Sequence, residues 1–325
     1  MRNDLREILS YARLEQLPRY AARVLSQSTA RREDYFPDVA PADVKRMSEI
    51  AMSLRGTSYT PAIFIHGVLP RSGTNFLADA LSLHPDVVPY PQRLWEFPLL
   101  SVAKSTAALQ REFQFMFPPN KEVMHRYEFL SYLASGWLKC MQDAAGGKRL
   151  LFKDPHVHNL GLFRYLFPND MLALCLRDGR DVAESSQKTF GDWLRRKTLK
   201  QISNEWKFGC EAILEITEGE QQHTNAMVVR YEELVLRPDQ TITKLLNHFG
   251  LELDKYDFDQ LAKLPVRGSS TSQSADAQRW QPHEKSADFQ PIGRWKNWSK
   301  NRKDQFKNAA GETLIRAGYE NNLDW

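Results

Sequence analysis

Four short apolar runs, unbroken rather than alternating with polar residues, restrict the fold of this chain more than any other feature. They are AIFIHG from Ala62, RLLFKD from Arg149, MLALCLRD from Met171 and AMVVRY from Ala226. A strand apolar on both faces has to be covered on both faces. Helix-period stretches follow or separate these runs at about 74–83, 121–143, 179–189, 196–218 and 237–249. The alternation predicts an α/β fold: one domain with a central parallel sheet flanked by helices. In such a sheet the ligand crevice lies beyond the carboxyl ends of the strands, so the residues just after each strand carry the functional information.

The first 57 residues read differently, as a helical N-terminal extension (1–57) ahead of the α/β domain (58–325). Leu5, Ile8, Leu9, Leu14, Leu17 and Val24 recur at helical spacing, with breaks near Pro18 and Pro37. Arg2, Arg6, Arg13, Arg19 and Arg23 make the other face basic. That helix either packs on the domain or makes a weak contact with an anionic membrane surface.

With 42% hydrophobic residues the chain is not disordered, and no apolar stretch approaches the ~18 residues of a membrane span. The start lacks the apolar core and small-residue cleavage site of a secretory signal, so the expected location is the cytoplasm. Lys and Arg number 44 against 40 Asp and Glu, a net +4. That excess is too mild for nucleic acid, but it suits a small polyanion if the cations converge. Cys140, Cys175 and Cys210 form no CxxC pair, which argues against a disulfide framework or a zinc site and predicts buried apolar fillers.

After the first strand comes GVLPRSGTNFL, Gly67–Leu77, a small-residue turn running into a helix. Such a turn offers backbone N–H groups and the positive end of a helix to an anion, and Arg71 adds a cationic fork. It is not the nucleoside-triphosphate loop G-x-x-x-x-G-K-[ST]. Thr74 and Asn75 follow Gly73 where Lys and Ser/Thr belong, and the cation precedes that glycine. After the second strand, Lys153 would point into the same crevice, followed by Asp154, Pro155 and His156. After the third, Arg177 leaves the strand and Ser185 lies two turns along the next helix, placed to grip a second phosphate. Asp178 has no Lys-Ser/Thr loop to serve as a Mg²⁺ carboxylate. After the fourth comes Tyr231, able to flank a base. PIGRWKNW, Pro291–Trp298, gathers aromatics and cations that can fold over an anionic ligand.

Together these segments resemble the sulfotransferases that use 3′-phosphoadenosine 5′-phosphosulfate (PAPS), over about residues 61–300. PRSGTNF is similar to that family's 5′-phosphosulfate loop, RDGRDVAES to its 3′-phosphate segment and GRWKNW to its closing motif. The layout looks most like the tyrosylprotein sulfotransferase branch, through HPDV at His84–Val87, KDP at Lys153–Pro155, RDGR at Arg177–Arg180 and YEELVLRP at Tyr231–Pro238. The chain departs from that branch in showing no signal anchor and no secretory cysteine framework. The expected acceptor is therefore a hydroxyl on a carbohydrate, lipid or other small molecule.

The resemblance implies residue roles. Arg71 and Lys153 would stabilise the bridging oxygen and 5′-phosphate, and Ser72, Gly73, Thr74 and Asn75 would bind that phosphate through backbone and hydroxyl groups. Phe76 and Tyr231 would hold the adenine. Arg177 and Ser185 would take the 3′-phosphate, Arg294 would close over it, and Ser269 and Ser270 would either line the sulfate end or belong to a plain flexible loop. Glu96 is the first candidate for the base, with Trp95, Phe97 and Leu99 around it to desolvate it and raise its pKa. His156 is the second candidate. Residues 88–148 and 265–292 would form the acceptor pocket, while His84 would cap or pack the preceding helix. A sulfuryl group carries less charge than a terminal phosphoryl group, so no metal is expected. The competing readings are a kinase-like phosphotransferase and a non-catalytic nucleotide-binding protein.

Overall fold

The computed structural model describes residues 30–56, 58–89, 96–189, 197–219, 222–265, 267 and 290–325. The proposed basic helix before residue 30, Trp95, and Ser269 with Ser270 lie outside them. Five strands form one parallel sheet in the order β2-β3-β1-β4-β5: β1 (Ile63–Gly67), β2 (Val87–Pro89), β3 (Arg149–Asp154), β4 (Met171–Leu176) and β5 (Ala226–Arg230). The four apolar runs are β1, β3, β4 and β5. The fifth strand, β2, is an edge strand of three residues ending in a proline, too short to register as an apolar run.

Side chains alternate across the sheet and build two cores. Phe64, Phe152, Leu172 and Leu174 enter the larger one; Ile63, Ile65, Leu151, Ala173 and Cys175 enter the other. The larger core is covered by α1 (Pro41–Arg55), α3 (Ala103–Met116), α4 (Glu128–Ala144), α5 (Gly179–Thr189), α6 (Leu199–Glu218) and α9 (Lys300–Arg316). The smaller is covered by α2 (Thr74–Leu81) and α8 (Pro238–Phe249), with α7 (Tyr231–Leu236) leading into α8. Tyr35 and Met47 belong to the same core as Phe64, so the described part of the N-terminal segment is packed into the sheet's cover.

The expected helix over 121–143 begins later, at Glu128, because Tyr127 takes a positive φ of 67° and separates it from a short turn at Asn120–Val123. Cys175 and Cys210 are buried as expected, but Cys140 lies on the exposed face of α4. His84 is buried in a turn: its Nδ1 accepts from the Asp86 amide, and its Nε2 lies 3.0 Å from the Glu252 carbonyl. Among the described residues no helix is long and apolar enough to cross a membrane, and no group of three His, Cys, Asp or Glu could hold a metal.

The chain leaves central β1 towards β2 and leaves its neighbour β4 towards β5. Adjacent connections diverging in this way open a crevice beyond the carboxyl ends of those two strands.

Candidate active site

The loop after β1 is shaped by its own residues. Ser72 N donates to the Leu69 carbonyl at 3.2 Å, closing a turn with Pro70 second and Arg71 third. Arg71 has φ +82°, the slot a glycine usually takes in such a turn. Holding a non-glycine residue there costs about 1–3 kcal/mol, a strain that clusters at functional loops. The Ser72 hydroxyl donates to the Leu69 carbonyl at 2.6 Å and accepts from the Leu69 amide. Ser72 is buried and both its hydroxyl and its amide bond to Leu69, so it braces the turn instead of presenting the hydroxyl expected to meet an anion. Gly73, at φ +96°, caps α2, and a Cβ there would lie 2.2 Å from the Tyr231 ring. Thr74 opens the helix and is buried; Asn75 is half-buried beside it, and Phe76 is half-buried against the smaller core.

Three elements converge on this loop. Arg71 Nε donates to Ser185 Oγ at 3.0 Å. Arg177 donates from Nη1 to the Arg71 carbonyl at 2.7 Å and from Nη2 to the Pro291 carbonyl at 2.5 Å. Its guanidinium sits 4.3 Å above the Tyr231 ring, a cation–π arrangement. Its Nε is buried and has no hydrogen-bond partner among the described residues. Arg294 is close enough to Arg177 to feel its charge: burial first, then Arg177, lower the Arg294 pKa. Burial raises the Tyr231 hydroxyl, with Arg177 and Arg71 pulling it back. Arg71, Arg177, Ser185, Tyr231 and Arg294 thus form one cluster at the ends of β1 and β4, whereas Lys153, expected to act with Arg71, stands at the end of β3.

Within RDGR only Arg177 faces this cluster. Asp178 is held by Arg180, whose Nη2 donates at 2.7 Å, and its amide donates to Glu232 Oε1 at 2.9 Å. Arg180 lies between Trp295 at 3.5 Å and Trp325 at 4.4 Å. Gly179 admits this packing, since a Cβ there would meet the Trp206 ring at 2.4 Å. Trp206 Nε1 in turn donates to the Arg177 carbonyl at 2.9 Å.

The end of β3 is organised separately. Lys153 and Asp154 point to opposite faces of the sheet, as consecutive strand residues must. Lys153 is 15% exposed and its Nζ is 3.9 Å from Glu96 Oε1. Burial lowers its pKa, while Glu96 and Asp79 raise it and Arg267 adds to the lowering. Asp79, on α2, is paired with Arg267. Glu96 is 44% exposed. The enclosure expected of it is absent, because Phe97 and Leu99 turn into the larger core and leave it facing Lys153. On the other face, His156 donates its amide to Asp154 Oδ1 at 3.0 Å, with ring Nδ1 3.1 Å from the same oxygen. Burial pushes Asp154 up, but the bond to His156 and the charges of His66 and His156 hold it below the usual carboxylate range. Behind it, burial and His156 push His158 down to about 4.

Two contributors were invisible in the sequence reading. Asp181 accepts from the Gly293 and Arg294 amides at 2.7 Å each, and Glu184 Oε2 accepts from Trp298 Nε1 at 2.8 Å. Both partners lie more than a hundred residues away, and no local pattern announces such pairs.

Comparison with known proteins gives the same fold and group. The family described as "Sulfotransferase family" matches residues 61–255. The chain is 29% identical to the protein-tyrosine sulfotransferase of Drosophila melanogaster over 238 residues, 70% of this chain and 43% of that protein. It is 24% identical to protein-tyrosine sulfotransferase A of Caenorhabditis elegans over 224 residues, 67% of this chain and 57% of that one. The chain therefore spans about half the length of the curated relatives it matches. Among solved structures, the sulfotransferase domain of the Synechococcus olefin synthase superposes with a TM-score of 0.52 at 19% identity, covering 80% of this chain and 97% of that domain.

Proposed function

The chain belongs to the sulfotransferase family, and from that premise we propose that it moves the sulfuryl group of PAPS to an acceptor hydroxyl. The observation that carries this reading is the convergence of Arg71, Arg177, Ser185 and Arg294 at the ends of β1 and β4, with the buried Arg177 Nε lacking a partner among the described residues. A buried donor without an acceptor is costly, and a phosphate oxygen is the acceptor its surroundings suit. In this reading the loop from Ser72 to Asn75 and Arg71 hold the 5′-phosphosulfate, Arg177 and Ser185 hold the 3′-phosphate, and Tyr231 flanks the adenine.

Transfer needs in-line placement, charge relief on the leaving phosphate and a base. The acceptor oxygen forms a new S–O bond as the bridging S–O bond breaks, and the electron pair of the broken bond stays on the 5′-phosphate. Arg71 and Lys153 meet that developing charge. Glu96 takes the acceptor proton; its place beside Lys153, at 3.9 Å, puts the carboxylate next to the leaving oxygen's cation. The named relatives are protein-tyrosine sulfotransferases, so a tyrosyl peptide is the first acceptor to try, followed by small phenols, carbohydrates and lipids.

Calorimetric titration with 3′,5′-adenosine bisphosphate, without added metal, tests the reading. The expected result is micromolar or tighter binding that weakens by about 10²-fold in Arg177→Ala, the size of a lost buried charged hydrogen bond. No binding, together with magnesium-dependent binding of ATP, would overturn it in favour of a phosphotransferase.

A further inference from the structure

We propose that Asp181 is the positioning residue of this site: its carboxylate fixes the closing segment Pro291–Trp298 so that Arg294 meets the 3′-phosphate. The inference rests on the sulfotransferase reading above and adds a residue that touches neither donor nor acceptor.

Asp181 lies in the first turn of α5, one turn before Ser185, and is buried. Both of its oxygens are used on main chain: Oδ2 accepts from the Gly293 amide and Oδ1 from the Arg294 amide, each at 2.7 Å. Gly293, at φ +76°, starts the short turn Arg294–Asn297, so the carboxylate caps that turn at its first two amides. Charge-assisted bonds of this length are the strong class of hydrogen bond. Burial first, and the Asp178 charge with it, raise the Asp181 pKa, and the Gly293 and Arg294 amides oppose that rise.

Neighbouring contacts show what the clasp is aligned with. Arg177 takes the Pro291 carbonyl two residues earlier, Arg180 stacks on Trp295, and Glu184 accepts from Trp298 and from Arg302 at 2.9 Å. One helix therefore grips the closing segment with Arg180, Asp181 and Glu184 while presenting Ser185 to Arg71. A displaced segment would misplace Arg294 relative to Arg177 and Ser185, and a shift near 1 Å at a binding group can cost about 10²-fold. The Asp181 carboxylate acts through the backbone of Arg294, so its contribution to binding is contained in that of Arg294.

The experiment is a double-mutant cycle on the full chain, with calorimetric affinity for 3′,5′-adenosine bisphosphate as readout. Asp181→Ala and Arg294→Ala are each expected to weaken binding by about 10–100-fold, and the double variant by no more than about twofold beyond the weaker-binding single. Asp181→Asn keeps one acceptor oxygen and should recover part of the loss; it also serves if Asp181→Ala does not fold. In turnover, the KM for PAPS should rise in Asp181→Asn while kcat and the acceptor KM hold, a split that general destabilisation does not produce. Losses that multiply in the double variant, or an Asp181→Asn protein that binds and turns over like the wild type, overturn the proposal while leaving the sulfotransferase reading intact. Failure of the unaltered protein to bind the bisphosphate would remove both.

Discussion

The two halves of the crevice handle charge in opposite ways. At the ends of β1 and β4, Arg71 donates to a hydroxyl and Arg177 to two main-chain carbonyls. Neutral acceptors of this kind orient a guanidinium without cancelling its charge, and the nearby Asp181 spends its carboxylate on two main-chain amides. At the end of β3, Lys153 stands beside Glu96, Arg267 is paired with Asp79, and His156 leans on Asp154. Cation and carboxylate there nearly balance. Under the proposed function the difference is a division of labour: the first half would bind the anionic donor, and the second would relay a proton beside the leaving oxygen.

The sharpest test of that division concerns the base. Glu96→Gln should lower single-turnover sulfuryl transfer by about 10²–10⁴-fold with affinity for the bisphosphate unchanged, whereas His156→Asn should cost less than about tenfold. The reverse ranking would move proton transfer to the imidazole that Asp154 holds. Next in size is Arg71→Gly. Removing the cation should lower kcat by about 10²–10³-fold, yet relief of the positive-φ strain should leave the melting temperature no lower than that of the parent. A large fall in melting temperature would show that the loop needs the side chain for folding.

Gly73→Ala probes the seam between loop and base site. The new methyl would overlap the Tyr231 ring, so binding of the bisphosphate should weaken by about tenfold and stability fall by about 1–3 kcal/mol. Wild-type affinity would mean that Tyr231 is not fixed by the loop.

The smallest effect separates the halves by pH. The folded His158 is held down to about 4, against about 6.5 when unfolded. The unfolded chain therefore takes up its proton first as pH falls, and stability present above about pH 6.5 is lost progressively towards pH 4. The loss should be about 1–3 kcal/mol in thermal or urea unfolding, and His158→Gln should flatten that part of the profile. An unchanged slope would assign the acid sensitivity elsewhere.

Much of this arrangement was readable because it is local. The near-continuous apolar runs, separated by helix-period stretches, pointed to strands of a covered parallel sheet, although the edge strand β5 is largely half-buried. Arg177 and Tyr231 stand directly after such strands, Lys153 is the penultimate residue of β3 and Arg71 lies in the loop after β1, so their gathering at one edge was a consequence of topology. Where the reading missed, the cause was non-local. The strand Val87–Pro89 exists because its backbone pairs with β3, not because three residues have a pattern. Glu96 looked enclosed by apolar neighbours in the sequence, but Phe97 and Leu99 point into the core. Ser72 looked like a ligand hydroxyl until the turn folded it onto Leu69.

The sequence by itself determined the strand period, the parallel sheet and which cations stand near the strand ends, since each depends on neighbours a few residues apart. Only the tertiary structure decided how those cations are balanced: carbonyls for Arg177, a hydroxyl for Arg71, a carboxylate beside Lys153, and the Asp181 clasp on the closing segment. Charge balance depends on distances of a few ångströms between groups up to more than a hundred residues apart, and only the packed chain sets those distances.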